Sequence, residues 1–230
     1  MARSTSTSGS AAAQVAGVDP GGTKPVKSEL TRSRILQAAR TVLAQHPYSE
    51  ASFRMIAKEG GFDHPLINYY FPYKSDLFEA VVVEICEDFY HANISCLEGL
   101  RGMTPREGFS LYIDRFLEFN LENPEPLRII MLNIAQVDRL EEVPGYRHIP
   151  DMLARTRSTF EESVPLRASP EEVGMFLGSY NALVILLLGA DSCQAQILGL
   201  EPGSAAYLAW VKQTLLYIFL PLLEGLIAGE

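Results

Sequence analysis

Three cysteines in 230 residues, Cys86, Cys96 and Cys193, are too few and too scattered for a disulfide framework. No CxxC pair and no paired histidine spacing accompanies them, which argues against a zinc site and fits a reducing cytoplasm. Each reads best as a small apolar packing residue. Long hydrophobic runs are lacking as well. The longest, Ala182 to Leu188 and Leu215 to Leu223, fall short of a membrane span, and no apolar segment near the N-terminus suggests a secretory signal. Strand alternation is missing throughout, and there is no internal repeat. Positive charge is in deficit, with 19 Lys and Arg against 28 Asp and Glu, a net −9. Such a balance weighs against a chain that binds polyanions over its whole surface.

The charge is unevenly placed. Residues 1–80 hold 9 basic against 7 acidic side chains, whereas residues 81–230 hold 10 against 21. Acidity is confined to the C-terminal two-thirds and says little about the N-terminal module. A balance of only +2 there means that nucleic-acid affinity has to come from placement and from pairing of modules. The composition, 47% hydrophobic and 20% charged, is that of a globular chain with a real core.

The stretch Ser52 to Phe78, SFRMIAKEGGFDHPLINYYFPYKSDLF, carries the most information. Ser52 is a good N-cap for a helix beginning at Phe53, and Gly60-Gly61 ends it where a left-handed backbone is wanted. Asp63 is a second N-cap, and Pro65 falls in a first helical turn, where a missing N–H costs little. About six residues, His64 to Tyr69, remain for this second helix before Phe71-Pro72 closes it. Two helices around a Gly-containing turn are either a plain hairpin of a bundle or a helix-turn-helix whose second helix reads a DNA groove. The side chains favour the groove. His64, Asn68, Tyr69 and Tyr70 suit phosphates and base edges, and only Leu66 and Ile67 are clear core candidates.

The rest of the chain predicts helices. Residues 1–27, rich in small polar side chains, predict a disordered tail in which Lys24 and Lys27 either brush phosphates or belong to a solvated linker. Ile35, Leu36, Ala39, Val42 and Leu43 give a helix over about Thr31 to Gln45 an apolar face, with Arg32, Arg34 and Arg40 opposite. A long helix begins at Lys74-Ser75 and continues toward Ile94. Thr104-Pro105-Arg106-Glu107 and Ser169-Pro170-Glu171-Glu172 are capping boxes with Pro at the first helical position. They open helices ending near Asn123 and Leu188. Shorter helices are expected over Pro126 to Ala135 and Asp151 to Glu162, with a loop over Val137 to Pro150. A last helix spans about Ser204 to Leu226, with Pro221 as a kink or end. The fold class is all-α.

Taken in order, TRSRILQAA, SFRMIAKEGGF and INYYFPYKSDLF resemble the N-terminal domain of TetR (tetracycline-repressor-like) transcriptional regulators. The resemblance covers about Thr31 to Val81. It implies an N-terminal three-helix DNA-binding domain over 28–74 and a helical-bundle ligand-binding and dimerisation domain over 75–230. The function implied is that of a ligand-responsive regulator, most simply a repressor, binding a palindromic double-stranded operator as a homodimer and released by a small, largely apolar effector. On this reading Arg54 contacts the DNA backbone and Lys74 is the phosphate-binding lysine, joining Asp63, His64, Pro65, Leu66, Asn68, Tyr69 and Tyr70 in the candidate interface. His64, Pro65 and Leu66 depart from the small and basic residues usual at this helix entry, so the operator sequence cannot be borrowed from relatives.

In the C-terminal part, Gly174, Gly178 and Ala182 recur at four-residue spacing and let another helix approach closely. The final helix offers Tyr207, Trp210, Val211, Thr214 and Ile218 along an apolar stripe. The two together are either core or a four-helix interface between protomers, and the resemblance favours the interface. Tyr112, Phe116, Asn133, Tyr180 and Asn181 are expected among the residues lining an effector cavity, although each alone suits a core equally. No catalytic residue, metal or cofactor is expected. Asp114, Glu118 and Glu122 share a helix face without a base or ligand partner, and Glu87 with His91 makes only two ligands. The remaining rival function is a helical adaptor or ligand-binding protein without specific DNA binding. The protein is expected in the cytoplasm, with no membrane partner.

Overall fold

The computed structural model describes residues 23–229, and among these there are ten α-helices and no strand. They are α1 (Thr23–Leu43), α2 (Phe53–Gly60), α3 (His64–Tyr70), α4 (Lys74–Leu97), α5 (Pro105–Glu122), α6 (Glu125–Ile134), α7 (Ile149–Ser163), α8 (Pro170–Gly189), α9 (Asp191–Leu198) and α10 (Ala205–Ala228). Helix α1 starts two turns before Thr31. The tail expected over 1–27 therefore ends by Thr23, and the rest of it lies outside the described residues.

Local chemistry explains most boundaries. The Thr104 and Ser169 side chains accept from the N–H groups of Glu107 and Glu172, whose carboxylates return to the cap backbone, so both capping boxes are complete. Ser52 accepts from the Met55 N–H at 3.4 Å. Gly61 closes α2 at φ 66, a left-handed conformation that favours glycine, while a Cβ on Gly60 would lie 1.9 Å from the Phe62 ring. Asp63 stands at the N-cap of α3, but its side chain makes no capping bond, contrary to the role expected of it. Pro221 does not end α10, which continues to Ala228; the proline is exposed, so the Tyr217 carbonyl it cannot bond lies on the solvent side. Helix α9 occupies the stretch after Leu188 where no helix is expected from pattern, and two 3₁₀ turns, Leu140–Glu142 and Tyr146–His148, break up the expected loop.

Helix α4 is the strut of the molecule. It buries Leu77, Phe78, Val81, Val82, Ile85, Cys86 and Phe89 and touches α1 at one end and α5 and α7 further along. Burial pushes the Cys86 and Cys96 thiols up to about 11, which keeps them protonated packing groups. Helix α6 packs on α8, and α10 packs on α5 and α8. Where α6 crosses α8, a Cβ on Gly189 would stand 2.7 Å from the Leu127 carbonyl oxygen, so glycine sets that close approach. Short apolar runs understate α8 and α10. As helices of 20 and 24 residues both are long and apolar enough to cross a membrane, since single residues such as Asn181 and Lys212 interrupt the runs but barely lower the mean hydropathy. Each buries only 39% and 33% of its most apolar window, so much apolar surface is left outside.

Candidate nucleic-acid interface and ligand cavity

Helix α3 is anchored by one side. Ile67 is fully buried and Phe71 nearly so, while His64, Pro65, Asn68 and Tyr69 are exposed, Tyr69 by 79%. Leu66 and Tyr70 are half-buried. The Asn68 amide lies 3.2 Å from His64 Nδ1, one turn earlier, so the two polar side chains stand together on the outer face. Tyr70 packs edge-on against Tyr69 and lies 3.3 Å from the Ser28 hydroxyl of α1. Arg54, in the first turn of α2, is exposed, and Arg32 and Arg34 of α1 stack over the Phe71 and Phe62 rings. The exposed Tyr73, at the N-cap of α4, extends this polar and aromatic face. Tyr73 is not among the residues expected there; its signal in the sequence is a tyrosine between Pro72 and the helix start at Lys74.

Lys74, which the resemblance implies as the phosphate-binding lysine, is held by contacts within the protein. Its ammonium donates to the Tyr48 carbonyl at 2.7 Å and the Ala51 carbonyl at 3.1 Å, and lies over the Tyr48 ring. Burial lowers its pKa. Lys74 thus holds the α1–α2 connection against α4. Lys74→Ala is expected to destabilise the fold by about 1–2 kcal/mol by removing two charge-assisted bonds from a half-buried site. It should leave the salt dependence of DNA binding unchanged; a slope shallower by about one would return the ammonium to a phosphate.

Asn133, expected in a cavity, is instead buried, the one such polar side chain apart from tyrosines among the described residues, and it acts as a joint. Its Oδ1 accepts from the Tyr48 N–H at 2.7 Å and its Nδ2 donates to the Ile129 carbonyl at 2.8 Å. Ser49 donates to Gln136 beside it. The 3₁₀ turn completes the contact between the N-terminal helices and the bundle. Tyr146 is buried beside Phe78 and donates to the Ile129 carbonyl, while Arg147 and His148 both meet Glu79.

A cavity of about 680 Å³ lies at the far end of α4. Of the residues expected around an effector, Tyr112 and Tyr180 lie in its wall and Phe116 and Asn181 do not. Phe116 packs on Phe89 in the core, and Asn181 sits half-buried on α8 away from the walls. Its apolar wall includes Phe109, Phe160, Phe176, Leu223, Leu97 at the end of α4 and Met103 of the α4–α5 turn, and its polar wall includes Arg101, Thr104, Glu161, Glu162 and Ser163. A cluster of apolar side chains in that Gly-punctuated turn was the available signal. The Tyr112 hydroxyl donates to Asn93 Oδ1 of α4 at 2.6 Å.

The outward face of α8 and α10 is apolar. Met175 and Leu186 on α8, and Tyr217, Ile218 and Leu222 on α10, are exposed, Tyr217 by 84%. Gly178 and Ala182 lie on the same face, with open space where a Gly178 Cβ would be. Gly174 is partly covered by Arg157, and Trp210 and Thr214 are half-buried. Tyr207 and Val211 fall on the wrong side of α10 for an interface. Both are fully buried, and the Tyr207 hydroxyl donates to the Leu187 carbonyl inside the protomer. Of the acidic residues set aside above, Asp114 pairs with Lys212 and Glu87 with Arg155.

Residues 35–81 match the profile of the bacterial regulatory proteins, tetR family. No curated protein matches the chain in sequence. Solved structures match it in fold. A candidate TetR-family transcriptional regulator of Mesorhizobium loti MAFF303099 superimposes with TM-score 0.60 at 20% identity, covering 88% of this chain and 98% of that one. A tetR-family transcriptional regulator of Streptomyces coelicolor gives 0.58 at 16%, covering 88% and 90%. The transcriptional regulator FadR of Bacillus subtilis, in complex with stearoyl-CoA, gives 0.59 at 16%, covering 86% and 98%. Residues 35–81 are therefore the N-terminal domain of the tetR family of bacterial regulatory proteins, carried on a chain with the all-α fold of TetR-family transcriptional regulators.

Proposed function

We propose that the protein is a ligand-responsive transcriptional repressor of the cytoplasm, not an enzyme, that binds a palindromic operator as a homodimer and is released by a small effector. The observation that carries this reading is the split character of α3. Its buried Ile67 and the adjoining Phe71 fix the helix, and its polar residues His64, Asn68 and Tyr69 all face outward. A seven-residue helix so exposed buries little on its own account, and its outward amide and hydroxyl match what the major groove offers. The apolar face of α8 and α10 supports pairing, because a surface of that kind is costly to leave in water. The cavity supports an effector. Its wall reaches α4 through the Tyr112–Asn93 bond, and α4 carries Lys74 and the α1–α2 connection at its other end. An effector that favours one setting of α4 would shift the spacing of two recognition helices.

Selection of random duplex DNA on the purified protein tests the proposal. Enrichment of a palindrome with half-sites one or more helical turns apart is expected; no enrichment at low salt overturns it. Asn68→Ala is then expected to relax preference at one base pair per half-site, by about 1–3 kcal/mol, with little change in the salt slope. Uniform weakening across all sequences would move Asn68 from base reading to backbone positioning.

A further inference from the structure

The turn between α4 and α5 consists of two fixed posts with a short span between them. The first post is the end of α4. Arg115, on α5, donates to the Cys96 carbonyl at 3.1 Å and to the Glu98 carbonyl at 2.7 Å, which ties the close of α4 to its neighbour. The second post is Thr104, fixed by its complete capping box with Glu107. Between the posts run Gly99, Leu100, Arg101, Gly102 and Met103. Gly99 and Gly102 have φ of 72 and 87, the left-handed region that glycine enters freely, and a Cβ on either would meet open space. Packing does not demand glycine at these positions; the backbone does. Glycines on both sides of Leu100 and Arg101 let the chain turn there at little cost, which is what a hinge requires.

The span is part of the cavity wall. Leu100, Arg101, Gly102 and Met103 line it, and the last three are also exposed, so the span stands where the cavity meets solvent. Its main-chain bonds, from the Leu100 N–H to the Leu97 carbonyl and from the Met103 N–H to the Leu100 carbonyl, stay within the turn. One bond crosses the mouth: Arg101 donates to the Glu162 main-chain carbonyl at 3.2 Å. Helix α7 ends at Ser163, so this carbonyl belongs to its last turn, which has no helical N–H to offer and favours a cation. The bond is exposed, so water can take the place of either partner.

We infer that residues 99–103 are a lid on the cavity, hinged at Gly99 and Gly102 and latched to the end of α7 by Arg101. The inference rests on the ligand-responsive reading above and adds the route by which an effector enters and leaves. Lifting the span breaks one exposed hydrogen bond and leaves α4 and α5 in place, because Arg115 and the Thr104 cap hold the posts. The latch does not depend on what lies behind it. It therefore governs how fast a ligand exchanges and not how tightly the ligand is held.

Stopped-flow fluorescence of the full-length protein with N-phenyl-1-naphthylamine, an uncharged probe that brightens in apolar surroundings, tests this without DNA. Arg101→Met removes the latch and keeps the length of the side chain. Its association and dissociation rates should both rise by about three- to tenfold, the weight of one hydrogen bond in the opening equilibrium. Their ratio, the Kd, should move by less than about twofold. Arg101→Lys can still donate to the carbonyl and should stay near the native rates. A residue that merely touched the probe would change dissociation and Kd without changing association, and a probe without charge is not steered by the guanidinium. Unchanged rates in Arg101→Met, a change confined to dissociation, or equal acceleration in Arg101→Lys overturns the lid alone. A native protein that takes up no probe overturns the cavity as a ligand site, and the lid with it.

Discussion

Ile218→Asp is expected to leave the protein monomeric and to lower its affinity for a two-half-site operator by at least about a thousandfold. The argument starts from the protomer. Ile218 is 40% exposed on α10, beside Tyr217 and Leu222, which are more exposed still. A carboxylate there reaches water, so the protomer should lose no more than about 0.5 kcal/mol of stability, as for an ordinary surface change. In a two-fold pair the same patch meets itself, and each substitution counts twice. Two carboxylates would be drawn into an apolar contact with no cation among Met175, Leu186, Tyr217 and Leu222. The effect on DNA follows from tethering. In a dimer the second recognition helix engages its half-site at an effective concentration on the order of millimolar, and a monomer forgoes that advantage. The N-terminal module cannot compensate by charge, since its balance is only 9 basic against 7 acidic residues. Sedimentation and operator titration together check the prediction. A variant that remains dimeric, or a monomer that binds the full operator undiminished, would remove the α8–α10 face from the assembly.

What could be read from the sequence divides along a physical line. Features set by neighbours in the chain were legible: the Ser52, Thr104 and Ser169 caps, the Gly60-Gly61 stop and the start of α4 at Lys74 all depend on chemistry within four residues. Features set by distant partners were not. The period of α10 places Tyr207, Val211 and Ile218 on apolar surface, but a helix apolar nearly all round has two such surfaces, and periodicity does not say which one turns outward. Burial decided it, taking Tyr207 and Val211 inside and leaving Ile218 out. The phosphate role of Lys74 is implied by the resemblance, and nothing near it in the chain shows that the carbonyls of Tyr48 and Ala51, more than twenty residues earlier, accept from it. The cavity was half legible for the same reason. Tyr112 and Tyr180 lie on the expected helices, but the α4–α5 turn and the end of α10 join the wall only through packing.

Asn133→Ala is the second large effect expected, and it tests the joint between the two halves. Asn133 is 85 residues from the backbone N–H it satisfies, so its deletion is felt in both. The Tyr48 N–H would lose its acceptor, the Ile129 carbonyl would keep the Tyr146 hydroxyl as donor, and the vacated space is buried. Leaving a partly buried N–H unpaired costs about 1–3 kcal/mol, and the residual cavity adds to it. A total of about 2–3 kcal/mol corresponds to a Tm lower by roughly 5–10 °C in a chain of this length. Gln136→Ala provides the comparison. Gln136 is exposed and meets Ser49 at the surface, so its removal should shift Tm by less than about 2 °C. The functional consequence is sharper than the loss of stability. The Pro47–Ala51 connection is held by Lys74 from α4 and by Asn133 from α6, and only the second hold ties it to the helix that packs on α8. With Asn133 gone the N-terminal helices keep their packing on α4 and the surface contacts of α1 with α6, but lose the buried bond to α6. Operator affinity should then respond less to an effector, by a factor that a double-mutant cycle with Tyr180→Phe would measure. If Asn133→Ala lowers Tm but leaves the effector response intact, the joint is structural only and coupling runs through α4.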